Sequence, residues 1–325
     1  MTLAEAIEHA NAFVLPGFMV DDVALTEERR RNEEAIKLLA DAWWQAPAGA
    51  EPFSFGLVRS LADRNRVTCD SYGVDRLRDE NGVNLARSLS PQDLIAGVAC
   101  LQGRSYDDVA KTAGADARDL ALAYTEAPPA RVVMGFDIET TSRDPDRGYI
   151  INAGMAFMDL APGNDPHDGH AVYFGIPSQY EAGVPLSDIH QITWADLAGK
   201  KPFREDHKAQ EALLAAFKHY PLMAHNAAFE DSWLQLHLDG YAEARKLGEI
   251  ALVDSRDICR RIDADGRALP RDARPNTLEN WARRRGTLKP GESERHLGLD
   301  DVGLMLWTVQ AEFELRNVYA NATGE

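Results

Sequence analysis

The sequence predicts an α/β protein: a sheet layered with helices, preceded by a mainly helical N-terminal domain. Two observations predict it. Up to the paired prolines Pro128-Pro129, apolar residues recur at helical spacing; beyond them, short β-branched runs alternate with helical stretches. The chain has 325 residues, 45% apolar and 27% charged, which is enough for a sizeable core and for two domains.

Each element has a local reason. Thr26 caps a helix whose first turn holds Glu27 and Glu28, and Ile36, Leu39, Ala40 and Trp43 form its stripe. Ser90-Pro91 starts a second helix, with proline at the first helical position and Leu94, Ile95, Val98 and Leu101 on one face. Ser105 opens another that Gly114 stops, and Asp116 to Tyr124 forms a further one. The tight turn at Ala113-Gly114-Ala115 gives residues 90–124 the outline of a helix-turn-helix. Its second helix carries two acids and one Arg, so partner binding or packing suits it better than reading DNA. Trp43-Trp44 suits a core or a partner anchor. The prolines end this region, giving domains 1–127 and 131–325.

Beyond the prolines the period shortens. Val132 to Ile138, Tyr149 to Met158, Ala171 to Ile176, Pro221 to Ala224 and Ile250 to Val253 read as strands. Helices are expected over Gln210 to His219, Phe229 to Leu238, Leu278 to Arg285 and Asp301 to Tyr319.

Composition excludes several classes. A net charge of −17 excludes a protein that coats polyphosphate through a basic surface. Three widely spaced cysteines make neither a disulfide framework nor a zinc pattern and fit a reducing compartment. Glu5 and Glu8 stand where a secretory signal would be basic, and no apolar run reaches membrane-spanning length. A soluble cytoplasmic protein is the expectation, with no membrane partner.

Three constellations carry chemistry. Asp137-Ile-Glu139 ends an apolar strand, and residues i and i+2 share a face, so two carboxylates stand side by side. A divalent cation between them would relieve their repulsion; a solvated strand end is the plainer account. His225-Asn226-Ala-Ala-Phe229-Glu230-Asp231 follows a strand and opens a helix, where carboxylates also serve as caps. His296-x4-Asp301 precedes the last helix, and its imidazole titrates near neutrality, as a general base requires.

Taken in order, the three motifs resemble the DEDDh 3′→5′ exonucleases, the DnaQ-like branch of the ribonuclease-H-like superfamily, over about residues 131–319. The segments Asp188-Ile-His190-Gln-Ile192-Thr193, Leu252-Val-Asp254-Ser255 and Asn276 to Trp281 agree with it, while residues 1–130 resemble no family. The resemblance implies a ribonuclease-H-like mixed sheet flanked by helices. It implies Asp137, Glu139, Glu230 and Asp301 as ligands of two Mg²⁺ or Mn²⁺ ions, and His296 as general base. Thr140, His225, Asn226 and Phe229 would meet the substrate. Where the family usually has Asp this chain has Glu230; Asp231 could substitute, but only one of the two can face the site, and register favours Glu230.

The implied activity is hydrolysis of DNA from single-stranded or frayed 3′ ends, releasing nucleoside 5′-monophosphates in replication or repair. A DNA polymerase or replisome partner would be in keeping. The same site acting on RNA is the alternative, as is a catalytically impaired nucleic-acid- or polymerase-binding module. Residues 256–289 hold ten basic and five acidic side chains and could line the cleft or be a solvated face. Trp194 is a candidate for base stacking; Trp281 suits the core better.

Overall fold

The computed structural model describes residues 89–143, 145 and 148–322. The Thr26 helix and Trp43-Trp44 lie outside them. Of the described residues, 89–141, 149–234 and 238–322 belong to one compact unit.

That unit opens with three helices, α1 (Pro91–Gln102), α2 (Tyr106–Ala113) and α3 (Leu120–Glu126). The caps read from the sequence are present. The Ser90 hydroxyl accepts from the Asp93 amide at 3.1 Å and donates to the Asp93 carboxylate at 2.6 Å. Ser105 accepts from the Asp108 amide, and Gly114 ends α2 at a φ of 74°.

Strands β1 (Val132–Thr140), β2 (Ile150–Asp159) and β3 (His167–Tyr173) follow. Helices α4 (Ser187–His190), α5 (Trp194–Leu197) and α6 (His207–His219) lead to β4 (Leu222–Ala224). After α7 (Ala228–His237) and α8 (Tyr241–Lys246) comes β5 (Leu252–Asp254). Helices α9 (Ser255–Ile262), α10 (Ala264–Arg267), α11 (Leu278–Arg285) and α12 (Gly298–Leu315) close the chain. The strand order is β3-β2-β1-β4-β5, with β2 antiparallel to β1 and β3, and β4 parallel to β1 and β5. This is the mixed, helix-flanked sheet expected of a ribonuclease-H-like fold. The third strand starts four residues earlier than the apolar run beginning at Ala171. Residues 167–171 are exposed, so edge pairing rather than burial defines them.

Two cores sandwich the sheet. Phe136 and Ile138 of β1 point to α6, where the Phe136 and Phe217 rings meet edge to face at 5.0 Å. The other face of β1 meets α12 and shares its core with the N-terminal helices. Ile95, Val98, Val109, Leu120 and Tyr124 pack in one cluster with Val133, Val253, Ile258 and Leu306. Residues 128–129 therefore join α3 to β1 within a continuous core. The inner face of α3 packs on α9: the Tyr124 hydroxyl donates to Asp257, and Arg261 donates to the carbonyl of Ala117, just before α3.

One close approach sets the position of α12. A Cβ on Gly154 would lie 2.0 Å from the Gly298 carbonyl carbon, and one on Gly298 would lie 2.7 Å from the Gly154 amide. Gly154 pairs with Asp137 in register, so the start of α12 sits directly against the acidic end of β1. Gly154→Ala should therefore cost about 1–3 kcal/mol by overpacking. Thermal unfolding checks this, and an unchanged melting temperature would refute the tight contact.

Candidate active site

The carboxyl ends of the parallel strands β1 and β4 point the same way, and the crevice beyond such ends is where sheets of this kind take ligands. Asp137 and Glu139 project there from β1. The β1–β2 register shifts between Glu139 and Thr140, so the strand bends at its acidic end. The turn after β4 is held by Asp254 at the end of β5, whose carboxylate accepts from the amides of Asn226 and Arg256, each at 3.0 Å. Asn226 takes the left-handed conformation at φ 73°, which Asn tolerates better than most residues. This turn starts α7, whose first turn carries Glu230.

The structure brings Asp137, Glu139 and Asp301 together: one oxygen of each lies within 4.8 Å of the others. Glu230 is 2% exposed and adjoins Asp137, and its Oε2 has no hydrogen-bond partner among the described residues. Such a buried, unsatisfied oxygen is costly unless something fills its lone pairs. His296 lies half-exposed at the rim, its Nδ1 3.9 Å from Asp301 Oδ2. It sits at φ 50°, a conformation costing a non-glycine residue roughly 1–3 kcal/mol.

Burial and mutual repulsion push the carboxyls up. Desolvation and then Asp301 raise Glu139 to about 8. Desolvation and then Asp137 raise Asp301 to about 9. Asp137 and Glu230 are driven well above the carboxylate range by the same two causes. No Lys or Arg among the described residues forms an ion pair with any of the four. A hard, oxygen-seeking divalent cation fits this donor set, four carboxylates without thiolates.

Glu230 and Asp231 have opposite roles. Asp231 turns away, accepting from Arg245 Nε at 2.9 Å and from the Tyr241 hydroxyl at 3.0 Å. The roughly 100° between successive helical residues separates them.

The other expected contact residues are placed as follows. His225 has both ring nitrogens engaged, Nε2–H donating to the Asn276 carbonyl and Nδ1 accepting from the Ser255 hydroxyl, each at 3.0 Å. Burial lowers it to about 4, so it stays neutral and ties β4 to α9 and α11. Asn226 accepts from Arg256 at 2.8 Å. Phe229 packs partly buried against the core beside Trp233, and Thr140 is 5% exposed.

Much of the basic segment is structural. Arg284 and Arg285 both pair with the fully buried Asp263, Arg261 with Asp257 and Arg283 with Glu279. Trp281 is fully buried and donates to Glu312 at 2.9 Å. Trp194 packs partly buried beside Ile192 and Leu197. Sequence reasoning missed Glu294, two residues before His296, which joins His296 and Asp301 within 4.8 Å.

No family model and no curated protein matches the chain. Among solved structures it is similar to one described as "3'-end specific recognition of histone mRNA stem-loop by 3'-exonuclease". That likeness has a TM-score of 0.40 and 13% identity, over 76% of this chain and 88% of that one. At that level the geometry of the site carries the argument. No helix among the described residues is long and apolar enough to cross a membrane.

Two outcomes follow. In EDTA, Glu139 and Asp301 hold protons when folded that the unfolded chain releases near its ordinary values of 4.5 and 3.8. Their contribution to stability is full below those values and is lost as pH rises through about 8 and about 9. The melting temperature should fall over that window, and Asp301→Asn should flatten the fall; an equal slope in both proteins would contradict the repulsion. Asp231→Asn leaves the buried Arg245 with less compensation, so it should cost roughly 3 kcal/mol in denaturant unfolding. It should leave Mn²⁺ binding intact, and lost binding would make Asp231 a ligand instead.

Proposed function

We propose that the chain is a metal-dependent 3′→5′ exonuclease that hydrolyses phosphodiester bonds at nucleic-acid 3′ ends, with single-stranded or frayed DNA as its first candidate substrate. One observation carries the reading: carboxylates from β1 and α12 meet, with Glu230 of α7 adjoining Asp137, without a balancing Lys or Arg among the described residues, beside a half-exposed histidine in a strained conformation.

Asp137, Glu139, Glu230 and Asp301 would hold two Mg²⁺ or Mn²⁺ ions, which when bound supply Lewis acidity toward the phosphate and the departing 3′-oxygen. The chain's own part is positional and protonic. His296, at the rim, takes the proton of the attacking water, and its exposure leaves that proton a route to solvent. The Asp301 carboxylate near Nδ1 favours the tautomer with Nε2 free to accept. Buried Asp254 and neutral His225 hold the turn that sets Glu230 and leave the cleft's charge to the carboxylates.

A 5′-labelled DNA strand and its RNA counterpart, incubated with Mg²⁺, Mn²⁺ or EDTA, test the reading. A metal-dependent ladder shortening from the 3′ end is expected, and which strand shortens faster assigns the sugar. Asp137→Asn should slow it at least about a hundredfold, the order of loss when a catalytic group is removed. No cleavage of either strand with either metal would sink the nuclease reading and favour a binding module.

A further inference from the structure

We infer that Glu294 is a fifth carboxylate ligand of the cation site, placed between the acidic cluster and His296. The inference rests on the nuclease reading, which it deepens.

Three observations carry it. Glu294 stands on the loop before α12, and its carboxylate lies within 4.8 Å of ligand atoms of both His296 and Asp301. It shares a hydrogen bond with Asp301 and faces Asp137 and Glu139 closely enough to raise both. With Asp137 and Asp301 it lines one small cavity, of about 60 Å³, that His225, Leu278, Val302 and Met305 also border. Glu294 thus borders the cluster through Asp301 and shares a cavity with Asp137.

The second observation is how this fold treats its other buried acids. Asp231 is met by Arg245, Asp263 by Arg284 and Arg285, Glu312 by Arg285 and Arg316, and Asp257 by Arg261. Asp254 takes backbone amides instead. Glu294 has no Lys or Arg partner among the described residues; it accepts one hydrogen bond from the Glu279 backbone, and the His296 imidazole lies 4.0 Å away. Carboxylates this close do not stay ionised together without positive charge between them.

The third observation is independent of the acids' number. Glu230 Oε2, buried and without a partner, adjoins the same Asp137 that Glu294 faces. An orphan acceptor at that spot is what a cation satisfies. Glu294 would therefore bind the ion and hold the His296 side of the cleft together.

The test is calorimetric titration of Mn²⁺ into the full chain near neutral pH, with no substrate present. Glu294→Gln should weaken Mn²⁺ binding by about tenfold or more, the order of loss when a metal site's carboxylate is removed. Asp300→Asn, which deletes a neighbouring acid paired to Arg295, should change it by less than about twofold if the effect is ligation rather than bulk charge. The melting temperature of Glu294→Gln in EDTA should equal or exceed the wild type's, since the change is near-isosteric and removes repulsion. Should Glu294→Gln melt lower, Glu294→Asp keeps the charge on a shorter arm, and binding weaker than wild type is still expected. Wild-type affinity in Glu294→Gln with affinity lost in Asp137→Asn would overturn the inference and leave the nuclease reading standing. No Mn²⁺ binding by the wild type would overturn both.

Discussion

The close approach of α12 to β1 and β2 is the constraint on which the rest depends. Gly154 and Gly298 leave no room for a Cβ between them, and Gly135, one pleat back, would meet Val302 at 2.8 Å if it had one. With these side chains absent, α12 lies against the sheet face that bears Asp137 and Glu139. Asp301, in the first turn of α12, then reaches them. A spacing wider by one methyl group would hold Asp301 out of that cluster, and Glu294 and His296 with it. The packing that stabilises the core is also what concentrates the charge.

That concentration works against stability. Acids elsewhere in the fold are buried with arginines, and the largest such network links Asp263, Arg284, Arg285, Glu312 and Trp281 between α9, α11 and α12. It braces α12 from behind while its front carries the uncompensated cluster. Unpaired buried charge is costly, and a counter-charge at the second set would offset that cost. Cation binding would supply that charge.

The N-terminal helices belong to the same framework. Arg245 on α8 donates to Asp93 of α1 at 2.8 Å and to Asp231 of α7 at 2.9 Å. The same Asp93 caps α1 through Ser90. One guanidinium therefore ties the start of α1 to the helix that carries Glu230. Helices α1 and α3 share their core with β1, β5 and α12.

What the sequence by itself determined is local. The i, i+2 alternation of a strand placed Asp137 and Glu139 on one face, the 3.6-residue turn separated Glu230 from Asp231, and caps at Ser90 and Ser105 with a stop at Gly114 marked helices α1 and α2. Only the tertiary structure decided which partner each charge would meet. Arg284 and Arg285 belong to a basic run that reads as cleft lining or as a solvated face, yet they turn inward to Asp263, about 20 residues away along the chain. Likewise His225, at a turn suited to substrate contact, commits both nitrogens to Ser255 and Asn276, 30 and 51 residues on. Glu294 carries no local signature because it lies on a loop without periodicity, and its place is set by where α12 lands. Periodicity is written in neighbouring residues; the pairing of charges depends on contacts between distant ones, which no short window of sequence contains.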